Sequence, residues 1–213
     1  MKAMRIVALG DSLTVGAHSN LDGLSDASES YSTRLETLAQ QYSSEHKLDM
    51  EVNVINRGIS GDLTSGMLDR FESDVIAENA DSVIILGGTN DVGWNLDTAL
   101  IASNLGKMYT TAQENHIKPV ACSIPSILGF DELIPPRLQL NRLISTEADR
   151  RNIAFVDVFA ATADQATNRL AVKYSADGLH LNDQGYERIS LQVFDQWLKP
   201  LLVTYRQSKP TKT

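Results

Sequence analysis

The sequence predicts an α/β protein: a parallel sheet with helices packed on both faces. Three observations lead there. Five short runs rich in β-branched residues (4–9, 51–56, 82–86, 119–124 and 153–158) alternate with stretches of helical periodicity. The runs are near-continuously apolar, as strands buried on both faces are. Strand–helix alternation in turn calls for right-handed crossovers between parallel strands.

The elements follow in order. The first run stops at Gly10 and opens into Gly10-Asp11-Ser12-Leu13-Thr14. A parallel strand that ends at glycine presents its next side chains at the carboxyl edge of the sheet, where open α/β sheets place their ligands. Ser12 therefore stands where a nucleophile is useful, and Asp11 reads as the residue that stabilises the turn. Residues 18–30 are polar and read as an exposed loop, with the acidic part at 22–29 a solvated face. Tyr31, Leu35, Leu38 and Tyr42 then mark one face of a helix.

The second strand ends in Asn56-Arg57-Gly58-Ile59-Ser60-Gly61-Asp62, another glycine-punctuated turn at the same edge. Its helix carries Met67, Leu68, Phe71 and Val75 at helical spacing, with Thr64 or Asp62 as cap. The third strand runs into Gly87-Gly88-Thr89-Asn90-Asp91, and Leu100, Ile101, Leu105, Met108 and Ala112 stripe the next helix.

The fourth strand leads to a longer connection, residues 125–136. Its Leu128, Phe130 and Ile134, with Trp94 opposite, suit an acyl pocket as well as they suit the core. Pro135-Pro136 opens a helix, a favourable place for proline, with Leu140, Leu143, Ile144 and Ala148 inward. After the fifth strand, Asp177-Gly178-Leu179-His180 precedes a last helix striped by Tyr186, Ile189, Val193, Trp197 and Leu201. Pro200 is expected to kink or end that helix. A single domain is expected over residues 1–207, with a polar, disordered tail at 208–213.

Composition narrows the function. The 213 residues are 42% hydrophobic and 22% charged, as in ordinary globular proteins. A formal net charge of -8 argues against nucleic acid as a partner. The single cysteine, Cys122, excludes an internal disulfide and reads as a small buried hydrophobe. No signal peptide or bilayer-spanning stretch is visible, so the expected location is cytoplasmic, although a removed leader would leave the same sequence.

Acyl transfer needs a nucleophile, a base, an orienter for that base, and donors facing the oxyanion. Ser12 supplies the first, His180 the second and Asp177 the third. The amides of Ser12 and Gly61 and the Asn90 side chain can supply the donors. Four blocks carry these residues in order: Gly10-Asp11-Ser12-Leu13, Asn56 through Gly58 to Ser60-Gly61-Asp62, Gly88-Thr89-Asn90-Asp91, and Asp177-Gly178-Leu179-His180. In these blocks the chain resembles the GDSL esterases and lipases, also called SGNH hydrolases.

That resemblance implies Ser12 as nucleophile, His180 as base, Asp177 as its partner, and Gly61 with Asn90 in the oxyanion hole. It also implies a flavodoxin-like three-layer α/β/α sandwich with strand order 2-1-3-4-5. The expected reaction is hydrolysis of short to medium carboxylic esters or thioesters, with no metal and no cofactor. His18, His46 and His116 are the other histidines; His46 and His116 read as solvated, and His18 has no adjacent acid. Two rival readings are a metal-dependent phosphoesterase, which needs several converging ligands, and a nucleotide- or flavin-binding module. The latter wants a phosphate-cradling loop after the first strand, and Gly-Asp-Ser-Leu-Thr-Val-Gly stands there instead.

Overall fold

The computed structural model describes residues 2–20, 23–25 and 29–208. Five parallel strands form the sheet: β1 (Lys2–Gly10), β2 (Met50–Gly58), β3 (Ser82–Leu86), β4 (Lys118–Cys122) and β5 (Ala154–Val156). Their order is β2-β1-β3-β4-β5, the doubly wound order expected. The central β1 pairs on both sides, and Gly10 lies level with Gly58 of β2 and Leu86 of β3. Three carboxyl ends therefore finish together, and the turns that leave them meet at one edge.

Alternation along β1 divides the core in two. Ile6 and Ala8 face a layer built on α2 (Tyr31–Glu45), the short α7 (Val158–Thr162) and α8 (Asp183–Val193), packing with Tyr31, Leu35, Val158, Tyr186 and Ile189. Val7 and Leu9 face the opposite layer of α3 (Thr64–Asp69), α5 (Thr98–Glu114) and α6 (Ile134–Arg151). Each sheet residue is thus covered from one side only, while the sheet as a whole is buried on both. Cys122 packs in the first of these cores, where burial pushes its thiol up to about 12.

Several local expectations are revised. The polar stretch after Ser12 contains a two-stranded antiparallel hairpin, His18–Asn20 with Gly23–Ser25. Residues 26–28, the tail after Ser208 and the side chain of His18 fall outside the described residues. Leu100 is half exposed rather than part of the inner stripe.

Pro200 does not end the last helix. A π turn at Phe194–Leu198 comes first, and Pro200 becomes the second residue of α9 (Lys199–Ser208). The helical run is unbroken: the Lys199 amide bonds to the Phe194 carbonyl five residues back, and this wider turn precedes a residue that has no amide to give. The extra residue in the π turn also shifts the stripe, so Leu198 and Leu202, not Leu201, are fully buried. Among the described residues no helix is long and apolar enough to cross a membrane.

Candidate active site

Ser12 is the first residue of α1 (Ser12–Val15), a single turn joined directly to β1. Asp11 stands at the N-cap position and accepts the Leu13 amide on Oδ1 at 3.0 Å. Gly16 closes the turn with φ 92°, a conformation that suits glycine. The turn is pressed against β2: a Cβ on Gly58 would lie 2.4 Å from the Val15 nitrogen, so only glycine fits.

His180 and Asp177 reach the same place from the loop before α8. His180 Nε2 lies 3.2 Å from Ser12 Oγ, and His180 Nδ1 lies 2.8 Å from Asp177 Oδ2. The other carboxylate oxygen, Oδ1, accepts the amides of Leu179 at 2.9 Å and His180 at 2.6 Å. Partial burial works against the Asp177 carboxylate. The hydrogen bonds from the His180 ring and from the two amides outweigh it and hold its pKa below the ordinary value. With Nδ1–H donating to Asp177, Nε2 is the acceptor facing the serine hydroxyl.

Two contacts fix this loop. Gly178 has φ +96°, and a Cβ there would meet the Leu128 carbonyl oxygen at 2.4 Å. Tyr186, on the helix that follows His180, donates from its hydroxyl to the Ala17 carbonyl at 2.7 Å. The helix after the histidine is thereby fastened to the turn after the serine.

The third set of groups lies on the turns after β2 and β3. The amides of Ser12 and Gly61 make no hydrogen bond among the described residues. Asn90, on α4 (Thr89–Gly93), donates from Nδ2 to the Asp62 carbonyl at 2.9 Å. A side-chain amide has two N–H bonds, so this anchor leaves the second one available.

Sequence reasoning missed the residues that hold these turns. Thr64 does not cap α3; Leu63 occupies that position without a side-chain bond. The cap comes from Asp91 instead, which accepts the Thr64 amide at 3.0 Å and the Thr64 hydroxyl at 2.5 Å. Asp62 accepts the Leu63 amide and the Arg70 guanidinium. Arg137 of α6 is buried, 1% exposed, beneath the site. Its one readable signal was helical spacing, since 137 falls on the inward stripe with Leu140, Ile144 and Ala148.

Beneath Ser12, complete burial drives the Asp11 carboxyl up to about 6. The Leu13 amide and the charges of Arg137 and His180 oppose the rise, and Asp91 adds to it. Burial in turn lowers Arg137 to about 10, with Asp11 opposing.

A cavity of about 310 Å³ opens beside Asn90 and Leu179. Gly93 and the exposed Trp94 form one wall; Ile127, the half-exposed Phe130 and Leu133 form the other. Trp94 and Phe130 are thus where a substrate pocket was expected. Leu128 and Ile134 are not part of this cavity: Leu128 packs against the core beside α8, and Ile134 is buried at the start of α6. His46 packs on Tyr42 at the end of α2, and His116 lies in a turn at the start of β4. Neither is near Ser12 in the fold.

The profile of the GDSL-like lipase/acylhydrolase family matches residues 8–188, a span that contains Ser12, Gly61, Asn90, Asp177 and His180. The chain belongs to this family. As a GDSL acylhydrolase it is a carboxylic ester hydrolase. It is 26% identical over 150 residues to an acetylxylan esterase from Geobacillus stearothermophilus, covering 65% of this chain and 68% of that one.

Solved structures share the fold of this GDSL hydrolase. A GDSL-like lipase from Bacteroides thetaiotaomicron superposes with TM-score 0.73 at 23% identity, over 92% of this chain and 88% of that one. A lipase/acylhydrolase from Enterococcus faecalis gives TM-score 0.70 at 24% identity, over 99% and 100%.

Proposed function

We propose that this acylhydrolase works through an acyl-enzyme on Ser12 and acts on short to medium acyl esters or thioesters. The observation that carries the reading is the chain of contacts Asp177 Oδ2–His180 Nδ1 at 2.8 Å and His180 Nε2–Ser12 Oγ at 3.2 Å. His180 Nε2 takes the proton as Ser12 Oγ bonds to the ester carbonyl carbon. Negative charge gathers on the carbonyl oxygen, where the Ser12 and Gly61 amides and the second Asn90 N–H donate to it. The C–O or C–S bond then breaks, and the imidazolium protonates the departing alcohol or thiol. Water, deprotonated by His180, attacks the Ser12 ester and releases the acid.

The cavity beside Asn90 suits the acyl group, since it is mostly apolar and adjoins the oxyanion donors. Its modest volume favours short to medium chains over long lipid chains. The similarity to an acetylxylan esterase puts acetylated xylo-oligosaccharides among the first substrates to try.

The test is covalent labelling with a p-nitrophenyl alkylphosphonate, followed by peptide mapping. The label is expected on Ser12 alone and absent from Ser12→Ala. A label on another residue of an active enzyme would sink the mechanism. A panel of p-nitrophenyl esters of rising chain length, acetylated xylo-oligosaccharides and an acyl thioester then ranks the substrates.

A further inference from the structure

The acyl cavity is apolar except in one part of its wall. Thr89 and Arg137 both line it, and both are more than nine-tenths buried. Thr89 Oγ1 has no hydrogen-bond partner. Arg137 uses Nη1 on the Pro125 carbonyl at 3.2 Å, while its Nε has no partner either. Leaving buried donors unmade is expensive, more so on a charged group. Solvent reaches neither atom while the cavity is empty, so a ligand atom that accepts from them has to part the side chains that cover them; their residues line a cavity that adjoins Asn90, where such an atom can lodge.

We propose that Thr89 and Arg137 are specificity-determining residues that select acyl groups carrying an uncharged oxygen acceptor, such as an oxo or hydroxy group, a few carbons beyond the ester carbonyl. The inference rests on the cavity taking the acyl chain, as argued above. An oxygen lodged there receives hydrogen bonds that neither Thr89 Oγ1 nor Arg137 Nε makes otherwise. A plain aliphatic chain of the same length leaves both donors unmade.

The charge around Arg137 argues for a neutral acceptor rather than a carboxylate. Asp11 is completely buried and its charge acts on Arg137, so the guanidinium already lies in the field of an anion. Asp91 lies close enough to act on Asp11 in turn. A substrate carboxylate would bring a further negative charge into this low-dielectric neighbourhood, where like charges repel strongly. A ketone or hydroxyl oxygen meets the donors without that repulsion.

The experiment compares kcat/KM for p-nitrophenyl 4-oxopentanoate, pentanoate and hemisuccinate, each divided by its own rate of hydroxide hydrolysis. Wild type is expected to prefer the oxo ester over pentanoate by about tenfold or more. Arg137→Met and Thr89→Val should each bring the ratio toward one. A ratio is independent of the fraction of folded enzyme, and Thr89→Val nearly preserves shape, so a poorly folded Arg137→Met does not spoil the test.

Equal rates in wild type would overturn the proposal, as would a preference that survives in both variants. So would a preference for hemisuccinate over the oxo ester, which would mean that the site reads charge. Failure to turn over any of the three esters, together with no phosphonate label on Ser12, would instead take down the acylhydrolase reading itself and this inference with it.

Discussion

Arg70 donates from Nη2 to the carbonyl oxygen of Gly10 at 2.9 Å, two residues ahead of Ser12. The same guanidinium donates from Nε to Asp62 at 2.8 Å and from Nη1 to the Arg57 carbonyl at 2.9 Å and Asp74 at 2.7 Å. One side chain therefore joins the turn that carries Ser12 to the loop that carries Gly61. Arg70→Met leaves two largely buried carboxylates without their cation, a loss of about 3 kcal/mol. Lysine has one ammonium where four acceptors are spread around a planar fork, so Arg70→Lys should rescue only part of it. Both variants are expected to melt earlier, and at a temperature where they are folded kcat should fall more than KM rises. Full activity in a folded Arg70→Met enzyme would confine the residue to stability.

The Asp177–His180 contact makes a prediction about pH. In the proposed mechanism His180 must be neutral to accept the Ser12 proton, so kcat/KM should rise with pH along an acid limb. The Asp177 carboxylate, whose pKa is held below its ordinary value, favours the imidazolium. Asp177→Asn should therefore move the midpoint of the limb downward and lower the plateau. A limb that stays in place in this variant would show that another group titrates.

The four site turns were legible because each ends an apolar run with glycine and polar residues, a pattern that survives without any knowledge of neighbours. Strand order was not legible from alternation and entered through the family resemblance, because pairing of β1 with β2 and β3 is a long-range choice. Arg70, Asp91 and Arg137 were passed over for a related reason. Gly10 and Arg70 are 60 residues apart in sequence, and Thr64 and Asp91 are 27 apart. Only the folded sheet edge brings them together. Leu128 and Ile134 illustrate the converse: an apolar residue in an edge connection can turn to the core, and sequence does not say which way it turns.

Asp11 gives a stability prediction with a definite sign. An acid whose folded pKa lies above its unfolded one, about 6 against 3.8, adds stability that is complete below the lower value and lost as pH rises through the higher one. About two units correspond to roughly 3 kcal/mol. Asp11→Asn keeps an oxygen for the Leu13 amide but does not titrate. Exchange of the protonated acid for the amide shifts its stability by an amount that does not vary in this window. The unfolding free energy of the variant relative to its parent should therefore rise between about pH 4 and 7 and then level. Urea unfolding in a His180→Ala background, which removes the imidazole facing Asp11, measures it. A difference that is flat with pH would show that Asp11 does not titrate there.

The proposed mechanism puts two tasks on the Asn90 amide, and they can be separated. One N–H holds the Asp62 carbonyl at 2.9 Å, tying the turn after β3 to the loop with Gly61. The other is free to donate to an oxyanion, a bond that strengthens only as charge develops in the transition state. Asn90→Ala deletes both. The structural bond is worth about 1 kcal/mol and should lower the melting temperature by a few degrees. The transition-state bond should lower kcat by roughly 10²–10³ while KM moves little. Asn90→Asp discriminates further, because a carboxylate keeps the size but cannot donate and repels the oxyanion. It should be at least as slow as Asn90→Ala even where both are folded. If either variant melts early yet keeps wild-type kcat at a permissive temperature, Asn90 serves the loop and has no part in stabilising the oxyanion.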